Sequence, residues 1–169
     1  MKLTPNFTLE EFTVSDTAER TGIRNEASPE VAAHLYTLAC GLEKIRGILC
    51  SPIKVLSGYR CEQLERLLCR KDFEAWCGRH GVPPAAQESW ALYFAGKAHP
   101  KGFAADFICP GFGSPLAIVK RLQQTNLKWD QLIQEGSWVH VSFDPKMRQE
   151  VLTAHFAAAT GTPSYTQGV

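Results

Sequence analysis

The clearest periodic stretch of the chain places Val31, Leu35, Leu38, Leu42, Ile45 and Ile48 at helical spacing. That stripe predicts a long amphipathic helix. Ser28-Pro29-Glu30 supplies its start, a cap residue followed by proline in the first turn, and the pattern runs to about Leu49. Ahead of it, Leu9 to Phe12 reads as a short helix capped by Thr8. Ser15 or Asp16 can cap a further turn, Thr17 to Arg20, that Gly22 stops. Ile53 to Leu56 is a short strand. Glu62 to about Cys77 is helical in pattern, Gly81-Val82-Pro83-Pro84 breaks it, and a second helix covers about Gln87 to Ala95. Gly102 to Ile108 reads as a strand, Cys109 to Gly113 as a turn, and Ser114-Pro115 as the start of a helix to about Thr125. Gln131–Glu135 and Ser137–Ser142 look like two strands around a tight turn at Gly136. A last helix is expected from Met147 to about Ala158, and Thr160 to Val169 is read as a mobile tail. The pattern as a whole predicts an α+β fold, a small and mostly antiparallel sheet packed against helices.

Composition narrows the class. A chain of 169 residues suits one domain with a sizeable core, expected over 1–159 with the tail at 160–169. Hydrophobic content of 44% and charged content of 21% are those of a soluble globular protein. A net charge of +1 gives no field that would recruit nucleic acid or acidic lipid. No apolar run approaches the roughly 20 residues that span a bilayer, so no membrane insertion is expected. Met1 to Phe7 has no signal-peptide core, which predicts a product that is cytoplasmic as synthesised. The six cysteines include no C-x-x-C pair, and free thiols are expected. Cys61, Cys69 and Cys77 would lie near one face of a single helix, as small buried hydrophobes.

Candidate chemistry centres on His99 and Asp106, with Gly102, Ala104 and Ala105 between them, and on His140 in a strand-like setting. Two imidazoles and a carboxylate suit Zn²⁺. Three protein ligands leave a fourth coordination position open, which distinguishes a catalytic zinc from a structural one. Solitary His and Asp residues are also common without a metal, and residue chemistry alone leaves both roles open. His34 and His80 read as helix or exposed residues. Arg60, delivered by the strand before it, presents a fork that can grip a carboxylate or form a surface ion pair. Tyr59 can pack or donate a hydrogen bond.

Three separated motifs then occur in order: Ser57-Gly58-Tyr59-Arg60, His99-x-x-Gly-x-Ala-x-Asp106 and Trp138-x-His140. Together they resemble the M15 zinc peptidases, in particular the D-Ala-D-Ala carboxypeptidase-like branch and its small phage and prophage members. The resemblance runs from about Leu9 to about Val151. It implies a Hedgehog/DD-peptidase-like fold and a Zn²⁺ held by His99, Asp106 and His140. It also implies an active-site Arg60 in contact with substrate, with Ser57, Tyr59 and Lys97 beside it. A general base must accompany the metal, and Glu135, ahead of His140, is the candidate. The implied activity is hydrolysis of peptidoglycan stem peptides, as a carboxypeptidase or an endolysin-type endopeptidase. The implied partner is the stem peptide, and a monomer that reaches the cell wall through phage lysis or aboard a virion. The chain departs from the family in three places. A helical insert occupies about 62–96, Lys97 stands where serine is usual, and Ser137 occupies a position where several members carry the acid. These departures favour the alternative, a weak or inactive zinc-containing phage structural or wall-binding module.

Overall fold

The computed structural model describes residues 1–156 and 163–169. Helices α1 (Leu9–Thr13), α2 (Asp16–Thr21) and α3 (Pro29–Leu49) open the chain. Their starts follow local chemistry. The Ser15 hydroxyl accepts from the Ala18 amide, and the Ser28 hydroxyl accepts from the Val31 amide with Pro29 in the first turn. Strand β1 (Lys54–Ser57) leads to three helices, α4 (Glu62–Leu68), α5 (Arg70–His80) and α6 (Gln87–Ala95). A single 3₁₀ turn, His99–Lys101, precedes β2 (Ala104–Ile108). Helix α7 (Pro115–Gln123) and strands β3 (Gln131–Glu135), β4 (Trp138–Ser142), β5 (Glu150–Phe156) and β6 (Pro163–Gln167) complete the order.

The strands form one sheet in the order β1-β2-β4-β3-β5-β6. Every neighbouring pair is antiparallel except β3 with β5. The fold is therefore α+β with a mostly antiparallel sheet. Because side chains alternate across a sheet, its two faces differ sharply. Phe107, Leu132, Val139 and Val141 point to one side and join Leu35, Leu38, Leu42 and Ile45 of α3 with Ile118, Val119 and Leu122 of α7 in the main core. The opposite face carries Asp106 and His140. In the insert, helices α5 and α6 build a separate, smaller core from Phe73, Cys77, Trp90 and Tyr93, joined by Cys69 from the break after α4.

Three expectations require correction. The helix expected over Met147–Ala158 is strand β5 in its described part; 157 and 158 lie outside the described residues. Met147 and Gln149 have φ of 45° and 59°, left-handed backbone that a helix cannot continue through. The fully buried Asp130 carboxylate binds the Arg148 amide and guanidinium, which pins the chain beside the start of β3. The segment read as a tail contains β6, which pairs with β5 from Leu152↔Gln167 to Phe156↔Pro163; 160–162 lie outside the described residues. The helix read from Glu62 to Cys77 is broken at Cys69, whose φ of −95° and ψ of 12° leave helical geometry. Cys61 precedes α4 and Cys69 falls at the break, so no single helix face carries all three cysteines. All six cysteines are free.

Among the described residues no helix is long and apolar enough to cross a membrane.

Candidate metal centre and cleft

Strand β2 places Asp106 directly opposite His140 of β4. His140 in turn faces Ile133 of β3, and Ile133 faces Leu152 of β5. This row crosses the sheet on the face away from the main core. Glu135, two residues beyond Ile133, points to the same side, opposite Trp138. His99 arrives from the 3₁₀ turn. Gly102 closes that turn at φ 77°, where an added Cβ would lie 3.0 Å from Val31. The glycine of the His-x-x-Gly motif thus meets a conformational and a packing need at once.

The three ligand candidates are buried and converge. The Asp106 Oδ1 atom lies 2.9 Å from His140 Nδ1 and 3.3 Å from His99 Nε2. All three ligand atoms lie within 4.8 Å of one another. A tetrahedral zinc with bonds of about 2.0–2.1 Å spaces its ligand atoms by about 3.3 Å, so the donor set fits such an ion with small adjustments. His99 Nδ1 donates to the Gly58 carbonyl at 2.6 Å, which leaves Nε2 as the free lone pair. A Cβ at Gly58 would lie 2.7 Å from the Phe12 carbonyl oxygen, so glycine lets this segment close against α1 and present its carbonyl to the histidine.

Electrostatics favour the ligating forms at two of the three positions. Burial, with the Arg60 charge, lowers the His99 pKa despite the Asp106 carboxylate, which favours the neutral imidazole. Burial pushes the Asp106 carboxyl upward, but the charges and hydrogen bonds of His99 and His140 outweigh it and hold the group well below the usual range. At His140 burial opposes protonation, yet the hydrogen bond and charge of Asp106 win, and its pKa is raised.

The surrounding cleft measures about 570 Å³. Glu135 lines it, with one carboxylate oxygen accepting from Trp138 Nε1 at 2.7 Å. Burial, partly offset by the charge of His140, raises the Glu135 pKa above its ordinary value. Arg60 lines the cleft as well, but its guanidinium is engaged by the protein. Nε donates to Ser57 Oγ at 2.9 Å, Nη2 donates to Asp106 Oδ2 at 2.7 Å, and Nη1 lies 3.6 Å from Glu65 Oε2.

The other residues expected at the site are distributed as follows. Ser57 holds Arg60. Tyr59 packs against the main core, its carbonyl accepting from Asn25, instead of lining the cleft. The Tyr59 amide donates to the Phe12 carbonyl at 2.7 Å, and its half-buried side chain lies against the core. Lys97 lines the cleft with its ammonium 4.1 Å from the centroid of the Tyr93 ring. His34 and His80 stay outside it; His34 bonds the Lys101 carbonyl, and His80 is exposed and stacked on Trp76. Sequence reasoning missed Glu65, which is buried beneath Arg60, and Leu152 and Tyr165, which line the cleft from β5 and β6. The recovery of Glu65 needed the turn of α4 beside Arg60. The other two were hidden by the helix and tail readings of their segment.

Residues 5–69 match the family model described as Peptidase M15. The match covers less than half of the chain and marks a similarity to the M15 peptidases. It spans α1 to the residue after α4 and includes Ser57-Gly58-Tyr59-Arg60, while the three candidate ligands lie beyond it. No curated protein matches the chain. The M15 peptidases are metallopeptidases, and His99, Asp106 and His140 form a buried group that could hold their metal.

Proposed function

We propose that this M15-type chain is a zinc-dependent peptidase of bacterial peptidoglycan stem peptides. The observation that carries the reading is the convergence of His99, Asp106 and His140 on one point of a cleft that Glu135 also lines. A zinc ion bound there would polarise the scissile carbonyl and acidify a water. Glu135 accepts the proton of the attacking water and returns it to the leaving amine. Trp138 holds that carboxylate in place, and burial raises its proton affinity. Arg60 holds the Asp106 oxygen that faces away from His140, and Gly58 fixes the ring of His99.

The test is release of peptides or amino acids from purified peptidoglycan. Hydrolysis should stop with a chelator and return with Zn²⁺. A preparation that binds zinc and peptidoglycan but releases nothing would favour the wall-binding module instead.

A further inference from the structure

Three cationic side chains line the cleft, Arg60, Lys97 and Arg148. Two of them are already matched. Arg60 bonds Ser57 and Asp106 and faces Glu65. Arg148 bonds both oxygens of Asp130 at 2.8 and 2.6 Å and lies 3.1 Å from Glu150. Lys97 differs. Among the described residues it forms no ion pair, although Glu65 and Asp72 line the same cleft. Its ammonium rests instead over the face of Tyr93, a contact that orients a cation without neutralising it. Tyr93 is itself fixed, buried in the small core of the insert against Phe73 and Trp90. The amine is thus placed in advance, and only Ala98 separates it in sequence from the candidate ligand His99.

We propose that Lys97 is the carboxylate-binding group of this cleft and that Arg60 is a positioning residue for Asp106. The ligand class is a peptide with a free carboxylate near the scissile bond, either its C-terminal group or an acidic side chain. This assignment rests on the peptidase reading above for its substrate, though not for its binding test. A carboxylate approaching Lys97 gains a charge partner and displaces none, whereas one approaching Arg60 must compete with Asp106 and Glu65.

The experiment uses a stem pentapeptide ending in D-Ala-D-Ala, its C-terminal amide, and a version in which D-isoglutamine replaces the γ-linked D-Glu, so that its free α-carboxylate becomes an amide. Calorimetric binding and steady-state hydrolysis are measured on the full chain and on Lys97→Met, Lys97→Arg and Arg60→Lys. The unsubstituted protein should bind the acid about tenfold more tightly than one of the two neutralised peptides, and which one identifies the carboxylate. Lys97→Met should abolish that discrimination by raising Kd and KM for the acid with little change in kcat, and Lys97→Arg should retain it. Arg60→Lys should lower kcat for all three peptides alike. Lys97→Gln replaces Lys97→Met if the latter loses its native circular dichroism. Equal binding of all three peptides by the unsubstituted protein, or discrimination surviving in the folded neutral variant of Lys97, overturns the proposal. So does discrimination lost in Arg60→Lys alone. Discrimination in binding without chelator-sensitive hydrolysis would instead overturn the peptidase reading and leave Lys97 in its role.

Discussion

The body of the molecule and the α4–α6 insert are built on different principles. The body packs α3 and α7 on one face of the sheet, through a continuous core that runs from Phe7 to Val141. The insert relies on a handful of aromatic contacts, with Phe73 5.2 Å from both Trp90 and Tyr93. The body holds all three candidate ligands and Glu135. The insert and the segment leaving it hold Glu65, Tyr93 and Lys97. Among the described residues, buried side-chain oxygens without a hydrogen-bond partner occur in both regions: the Thr4 hydroxyl in the body, and one oxygen of Glu65 and the Tyr93 hydroxyl in the insert. Burial also pushes the Cys69 thiol up to about 12, so it acts as a neutral donor to Glu65. The candidate ligands and Glu135 thus stand on one core, while Glu65, Tyr93 and Lys97 stand on or beside another.

Four measurements would break or sharpen that division. The largest effect is expected at the ligands. His99→Ala or His140→Ala should lose the metal by elemental analysis and lose hydrolysis with it, while the circular dichroism of both regions persists. Zinc retained in both variants would remove these residues as ligands. Next, Glu135→Gln should bind zinc normally and lose about a hundredfold to ten-thousandfold in rate, measured as turnover per bound metal. An unchanged rate would transfer the proton to another group.

The third test sets the two cores against each other. Leu42→Ala in the body should cost about 2–5 kcal/mol of global stability in denaturant unfolding. Phe73→Ala should expose insert amides to hydrogen exchange while the amides of β2 and β4 stay protected and the metal stays bound. Equal loss of protection in both regions would show one cooperative unit. The smallest effect concerns Asp130. The Arg148 guanidinium, opposed by burial, holds this carboxyl below its ordinary value. A depressed folded pKa gives stability that is present above the unfolded value of about 3.9 and lost as pH falls through the folded one. Asp130→Asn should therefore cost about 1–3 kcal/mol near neutrality, and the gap should close in melts run progressively below about pH 3.9.

Local signals made much of this legible in advance. Helix α3 carries its cap, its proline and its leucine spacing within its own sequence, and the observed bounds follow from them. The β3–β4 hairpin is equally self-contained around Gly136, and the resemblance of three ordered motifs to the M15 peptidases pointed to His99, Asp106 and His140 together. Strand β5 was illegible because its stability comes from partners on both sides, a parallel one in β3 and an antiparallel one in β6. Its alternation is weak, with Val151 packed toward the core and Leu152 toward the cleft. The state of Arg60 was hidden for a similar reason. An arginine fork looks the same in sequence whether it meets a ligand or meets Asp106 and Glu65.

The pairing of Asp106 directly across from His140 has one more consequence. Side chains alternate with a period of two, so a one-residue slip of β2 against β4 would send one ligand into the helices and leave a hydrophobe in its place. A metal held by these three residues would therefore have a stoichiometry that reports strand alignment. In refolded material, the fraction of chains that takes up one ion per chain would count those whose central strands found their correct partners, a quality measure that far-ultraviolet dichroism cannot supply.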